Sequence, residues 1–397
     1  MLTSLALIFL IGMGMGSIFK KLKLPSLLGM LITGVILGPH VLNLLDESIL
    51  NISSDLRQLA LIIILARAGL SLDIKDLIKV GRPAILMCFI PACFEILSMI
   101  ILAPKLLGVS LIDAAIMGAV VGAVSPAVVV PKMLNLMENG YGTNKSIPQM
   151  ILAGSSVDDV FVIVMFTSFI GLAQGEKISA SSFFQIPLSI VLGLLGGIII
   201  GLLLLSFFKK IHMRDSNKVI IVLSISFLLV AIEHQFKTSV PFSGLLAVMS
   251  MGIIIQKNNK ELADRMSSKF SKLWVAAELI LFVLVGAAVD INYAAKAGLS
   301  VVILLIGVLL FRMLGVYFCM IKTDLSFKER IFCMIAYTPK ATVQAAIGSV
   351  PLAMGLGCGQ IVLTVAVIAI LITAPLGALG IDITYKKLLN HTPKILA

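Results

Sequence analysis

Long apolar runs separated by short polar breaks fill this chain from end to end. A bilayer-crossing helix needs about 20 largely apolar residues, and that length predicts about thirteen spans. Their limits are 2–19, 26–45, 54–71, 82–104, 109–134, 147–173, 183–208, 217–236, 241–256, 270–289, 297–321, 327–352 and 358–381. Lys20, Lys21 and Lys23 follow the first run. A secretory signal has its positive charge before the apolar run, so 2–19 is read as a first span with its N-terminus outside. The loops test the count independently, because basic residues collect in cytoplasmic loops. Alternate loops and the C-terminal tail hold 23 of the 31 Lys+Arg, among them Lys75, Lys79, Lys132, Lys145 and Lys394. The other loops hold five (Arg57, Lys105, Lys177, Lys237 and Lys296), and Arg67, Arg312 and Lys340 lie within spans. This asymmetry predicts a cytoplasmic C-terminus. No long hydrophilic stretch suggests an appended soluble domain.

Composition agrees with a membrane protein. Of the 397 residues, 59% are hydrophobic and 13% charged, and the mean hydropathy is +1.11. A soluble domain is about 25% charged, and a single core stops growing at roughly 250–300 residues. A soluble enzyme, a nucleic-acid binder and a disordered chain are excluded. The net charge of +11 is explained by topology. The five cysteines read as small hydrophobes with neither disulfide nor metal spacing.

An ionisable residue inside a span is costly and marks a functional site. Glu95, Asp158, Asp159, Arg312 and Lys340 are such residues. Arg67, near a cytoplasmic span end, can snorkel. Asp158 and Asp159 are neighbours on one span and point about 100° apart. Two adjacent carboxylates repel, so one needs a proton, a cation or a fixed positive group. Ser155 precedes Asp159 by four, on the same face, and its hydroxyl suits a small hard cation. A buried carboxylate is the expected partner for the Lys340 ammonium. Glu95 and Arg312 suggest a second, structural pair.

Spans five and twelve carry prolines at their middle, in Ser125-Pro126 and Thr338-Pro339. Proline removes a backbone bond, and the freed groups must be satisfied in the protein interior or by a cavity. Spans four to six and eleven to thirteen repeat the order of a charged helix, a broken helix and a further helix. Their seven-span offset is odd, so the triplets run in opposite directions. An inverted repeat of this kind points to a midplane site where the two breaks approach.

Val124-Ser125-Pro126-Ala127-Val128-Val129-Val130-Pro131, Gly154-Ser155-Ser156-Val157-Asp158-Asp159 and Pro339-Lys340-Ala341-Thr342-Val343-Gln344-Ala345-Ala346-Ile347-Gly348 resemble the second branch of the monovalent cation:proton antiporters. The last run is most similar to NHA-type sodium/proton exchangers. The resemblance spans nearly the whole chain. It implies an all-α sodium/proton antiporter fold with two broken, crossing helices. It also implies a homodimer in which a mobile core (82–173 and 297–381) moves like an elevator against dimerisation helices (1–71 and 217–289), with 183–208 as linker. By its pattern, Asp159 binds the cation, Asp158 pairs with Lys340, and Glu95 and Arg312 form a buried pair. The family's better-known bacterial members carry Thr-Asp at the span-five break, where this chain has Ser125-Pro126.

The expected activity is secondary antiport across the cell membrane, serving sodium and pH homeostasis, without catalysis or a cofactor. Burial keeps Asp159 protonatable, and Na⁺ or Li⁺ competes with the proton for Asp159, Ser155 and carbonyls near Ser125. The partners are monovalent cations, protons and the bilayer. A K⁺/H⁺ exchanger is the nearest alternative, since ligand number and cavity size tune a hard-cation site. A sodium-coupled organic-anion symporter is more distant, as it needs no Asp-Asp/Lys set. An intramembrane aspartyl protease is disfavoured because its aspartates must face each other across separate helices. A passive channel is disfavoured because no filter-like loop is present.

Overall fold

The computed structural model describes residues 1–72, 81–174, 180–235 and 242–391. Of the residues read above, Lys75, Lys79, Lys177, Lys237 and Lys394 lie outside these, as do the span ends at 236 and 241. Among the described residues the regular structure is helical, apart from one isolated bridge between Tyr141 and His391. The helices are α1 (Leu2–Lys21), α2 (Ser26–Leu37), α3 (Glu47–Asn51), α4 (Ser53–Ser71), α5 (Arg82–Met87), α6 (Ile90–Leu107), α7 (Leu111–Val121) and α8 (Pro126–Glu138). They continue with α9 (Ile147–Ala173), α10 (Ala180–Lys210), α11 (Asp215–Gln235), α12 (Gly244–Asn258), α13 (Lys260–Ala287) and α14 (Ile291–Cys319). The last four are α15 (Phe327–Ala336), α16 (Thr342–Ile347), α17 (Val350–Ala353) and α18 (Gly359–Leu388).

Local chemistry sets many of these ends. Ser110 and Asp113 form a capping box at the start of α7, and Ser326 and Glu329 form one at α15. Such reciprocal bonds satisfy N–H groups that a helix start leaves free. Asp290 caps α14 by accepting from the N–H groups of Asn292 and Tyr293. Among the described residues, nine helices are long and apolar enough to cross a bilayer. The remaining expected spans fall on α2, α4, α12 and the series α15–α17. α2 stops at Leu37, short of the expected 45, because Gly38-Pro39 follows. A residue before proline is biased away from helical geometry.

Contacts divide the chain into two compact units. The first comprises Met1–Ser54, Asp76–Ala173 and Leu281–Ala397. In it α6 packs along α14, α7 lies against α6 and α9, and α18 contacts both α7 and α15. Gly315 permits the closest approach of α14 to α6. A Cβ there would stand 2.9 Å from the Pro91 Cα. Hydrogen bonds and ion pairs also tie α8 and the α8–α9 connection to the end of α18 and to α15. The Gly142 N–H donates to the Asn390 carbonyl at 2.8 Å, and Lys132 pairs with Asp382. Lys145 pairs with the buried Glu329 at 2.8 Å.

The second unit comprises Asp55–Lys75 and Gln174–Ile280. In it α12 packs against α10 and α11. Asp215 takes Arg265 at 2.9 Å and Lys218 at 3.4 Å.

Candidate functional site

Within the first unit the chain leaves helical geometry at 122–125, between α7 and α8, and at 337–341, between α15 and α16. Pro126 opens α8 at its first position, where a missing N–H costs nothing. Pro339 biases Thr338 away from the α region. The two interruptions touch directly, with the Ser125 N–H donating to the Pro339 carbonyl at 2.7 Å.

Buried polar backbone must find partners, and four side chains supply them. Arg312, on α14 and fully buried, donates through Nε to the Tyr337 carbonyl at 2.7 Å and through Nη1 to the Gly122 carbonyl. Those carbonyls follow the C-terminal ends of α15 and α7, where a helix dipole favours a cation. Asp158, on α9, accepts the Val124 N–H at Oδ2, 2.8 Å. Thr373, on α18, accepts the Lys340 N–H at 2.9 Å. Gln344, on α16, accepts the Ala341 N–H at 2.8 Å and donates to the Ala123 carbonyl at 2.9 Å.

The charges form one cluster. Arg312 reaches Glu95 Oε2 at 2.6 Å and Asp158 Oδ2 at 2.8 Å. Lys340 reaches the same Glu95 oxygen at 2.6 Å. All four side chains are at most 1% exposed. Glu95 and Arg312 meet, but they do not stand apart from the rest. The pairing of Asp158 with Lys340 implied by the family resemblance is not what is found: Asp158 takes Arg312, and Lys340 takes Glu95. The physical reason is geometric. A guanidinium has several donors fixed in a plane and can bridge two carboxylates while serving two carbonyls. An ammonium is compact, and Glu95 meets it.

With both acids and both bases ionised, the four balance, and Asp159 is left outside. Its Oδ1 is buried without a hydrogen-bond partner, as are Oδ1 of Asp158 and the Ser125 hydroxyl. Three oxygens without partners, two of them on carboxylates, are the chemistry a hard cation uses. The Ser155 hydroxyl, fully buried, donates to the Leu152 carbonyl at 3.0 Å. The Thr338 hydroxyl donates to the Ile335 carbonyl at 2.8 Å. Among the described residues no cluster of three or more His, Cys, Asp and Glu could hold a resident metal.

A family model described as "Sodium/hydrogen exchanger, transmembrane" matches residues 5–387. The chain belongs to that sodium/hydrogen exchanger family. Sodium/hydrogen exchanger 9B2 of Mus musculus is 35% identical over 399 residues, which cover 95% of this chain and 72% of that protein. The human protein of the same name is 35% identical over 382 residues, 92% of this chain and 70% of its own length. The structure of the sodium proton antiporter MjNhaP1 from Methanocaldococcus jannaschii at pH 8 matches with a TM-score of 0.86. That match covers 98% of both chains at 21% identity, and it shows the fold alone.

Three residues of this family member were not singled out as site residues from sequence. Tyr337 receives Arg312 on its carbonyl, places its ring 5.1 Å from the guanidinium carbon, and donates its hydroxyl to the Met87 carbonyl at 3.0 Å. Gln344 and Thr373 hold the interruptions. All three are neutral, and none stands out in an apolar run the way a charge does.

Proposed function

We propose that this protein exchanges Na⁺, or Li⁺, for H⁺, with cation and proton competing for Asp159. The observation that carries the reading is the charge ledger: Glu95 and Asp158 are answered by Arg312 and Lys340, and among the described residues Asp159 has no ion pair. A carboxylate without a cationic partner is expensive inside a membrane protein. A proton or a dehydrated monovalent cation neutralises it equally well, and the two exclude each other. The cation takes oxygens from Asp159, with Asp158 Oδ1, the Ser125 hydroxyl and Ser155 as further candidates. Only the neutralised site crosses, and this couples the two fluxes. Membership in the sodium/hydrogen exchanger family supports the same cargo.

In this reading the chain has thirteen spans, with an outer N-terminus and a cytoplasmic C-terminus, in the cell membrane. The helices meeting at 122–125 and 337–341 are the two broken, crossing members of an inverted repeat, which brings a transporter's ion site to the midplane. Residues 82–173 and 297–381 form the mobile core of a homodimer. The ion pairs support this, since Arg312 and Lys340 of one half bind Glu95 and Asp158 of the other. The core moves against helices of 1–71 and 217–289, with 183–208 as linker. No cofactor takes part.

The test is antiport in proteoliposomes carrying an imposed pH gradient. Collapse of the gradient on adding Na⁺ or Li⁺ but not K⁺ is expected. Collapse with K⁺ moves the protein to potassium exchange. No collapse with any cation, in folded protein across a range of pH, overturns antiport in favour of the sodium-coupled symporter.

A further inference from the structure

Gln344 carries no charge and takes no part in the proton or cation ledger, yet it bonds to both interruptions. It is fully buried. Its Oε1 accepts the Ala341 N–H at 2.8 Å, and its Nε2 donates to the Ala123 carbonyl at 2.9 Å. Nε2 also lies 3.4 Å from the Val121 carbonyl. A primary amide gives and accepts at once, which suits it to join two segments of unpaired backbone.

Its bond to Ala123 falls at a sensitive place. Ala123, Val124 and Ser125 are consecutive, and each is held by a different element. Gln344 holds the carbonyl of the first, Asp158 the N–H of the second, and the Pro339 carbonyl the N–H of the third. Two of the oxygens without partners belong to this group, the Ser125 hydroxyl and Asp158 Oδ1. The direction of the Ser125 side chain and the length of the Val124–Asp158 bond both depend on where this short strip of backbone is pinned.

We propose that Gln344 is a positioning residue that sets the cation affinity of the site through Ala123, resting on the exchange reading at Asp159. Hard-cation sites discriminate by ligand number, spacing and rigidity. Releasing Ala123 alters spacing and rigidity without removing an oxygen that touches the ion.

The experiment compares wild type with Gln344→Met, which keeps the volume and loses both bonds, and with Gln344→Glu. Exchange is measured in proteoliposomes as KM and maximal rate for Na⁺ and Li⁺, and thermal stabilisation by Na⁺ is followed in detergent. Loosening the strip of backbone that aims these oxygens is expected to raise the Gln344→Met KM by about tenfold. Its maximal rate per folded transporter should stay within about threefold, because binding lost equally from ground and transition states leaves turnover alone. Gln344→Glu keeps the acceptor for Ala341 and regains a donor for Ala123 only when protonated. Its KM, divided by that of wild type at the same pH, should therefore fall as pH falls, while the ratio for Gln344→Met stays flat.

A residue that merely supports the fold would lower the amount of active protein and leave KM unchanged, and that result overturns the proposal. So does a Gln344→Glu ratio that is flat or rises on acidification. A wild type that neither exchanges cations nor is stabilised by Na⁺ overturns the exchange reading and this inference together. A wild type that does both, beside a Gln344→Met protein identical to it, overturns this inference alone.

Discussion

At 122–125 a backbone N–H, that of Val124, is received by a side chain 34 residues downstream; at 337–341 the Lys340 N–H is received by one 33 residues downstream. In the first case the acceptor is Asp158 on α9, and in the second it is Thr373 on α18. The helices before the interruptions correspond as well, with Glu95 on α6 and Arg312 on α14 separated by 217 residues. The backbone device is the same in both regions, and the chemistry is not. Glutamate in one half faces arginine in the other, and a carboxylate acceptor in one is a neutral hydroxyl in the other. The first region keeps oxygens to spare, at Ser125 and on the two aspartates. The second contributes a fixed ammonium, already spent on Glu95. The same backbone device can thus hold two interruptions in place while, among the described residues, the first keeps polar oxygens without partners.

Five substitutions test the asymmetry, two within the interruptions and three on the helices beside them. The largest expected effect is that of Asp159→Asn, which should abolish Na⁺-driven gradient collapse in proteoliposomes while the protein still purifies folded. Retained coupled exchange would remove Asp159 from the mechanism. Next is Arg312→Ala, which strands Asp158 and the carbonyls of Gly122 and Tyr337 and leaves Glu95 to Lys340 alone. Breaking a buried ionic network in this way costs about 3–5 kcal/mol, read as a large drop in Tm in detergent. A small drop would mean the cluster is not what joins the halves.

Lys340→Ala should cost less, about 1–3 kcal/mol, because Glu95 keeps Arg312. If it destabilises more than Arg312→Ala, the ranking of the two cations is reversed. Thr373→Val leaves the Lys340 N–H without its acceptor and should cost about 1–2 kcal/mol in the same melt. No loss would argue that the correspondence with Asp158 is one of sequence spacing only. Ser125→Ala breaks no hydrogen bond made by the hydroxyl and removes a buried polar atom without a partner, so stability should hold or rise. The KM for Na⁺ should nonetheless rise. An unchanged KM would remove this hydroxyl from the cation's ligands.

Hydropathy located the helices better than it located their ends. The run 147–173 coincides with α9, since apolar residues fill that helix from end to end. By contrast 270–289 misses the first ten residues of α13, and 358–381 misses the last seven of α18. Those turns are polar yet helical, so an apolar window cannot register them. Asp290 was readable as a cap for α14, but a search for apolar runs starts at 297. Glu95, Asp158, Asp159, Arg312 and Lys340 were conspicuous because charges are rare in apolar runs. Only part of the pairing was legible: Glu95 and Arg312 meet, while Asp158 and Lys340 take partners other than each other. Arg312 lies 154 residues from Asp158, and its choice depends on how α14 seats against α6 at Gly315. Gln344 and Thr373 were hidden for the opposite reason: a neutral polar side chain in a membrane helix is common, and only the bond it makes distinguishes it.

In the electric field across a membrane, two acids and two bases held together have a property that neither pair has alone. Moving one elementary charge through 100 mV takes about 2.3 kcal/mol. The group Glu95, Asp158, Arg312 and Lys340 sums to zero when all four are ionised, so carrying it across takes no net electrical work. In the exchange proposed above, Asp159 loaded with either a proton or a monovalent cation adds nothing. A steady current through this protein is therefore a direct count of the protons that one of the four gives up or takes back in each cycle.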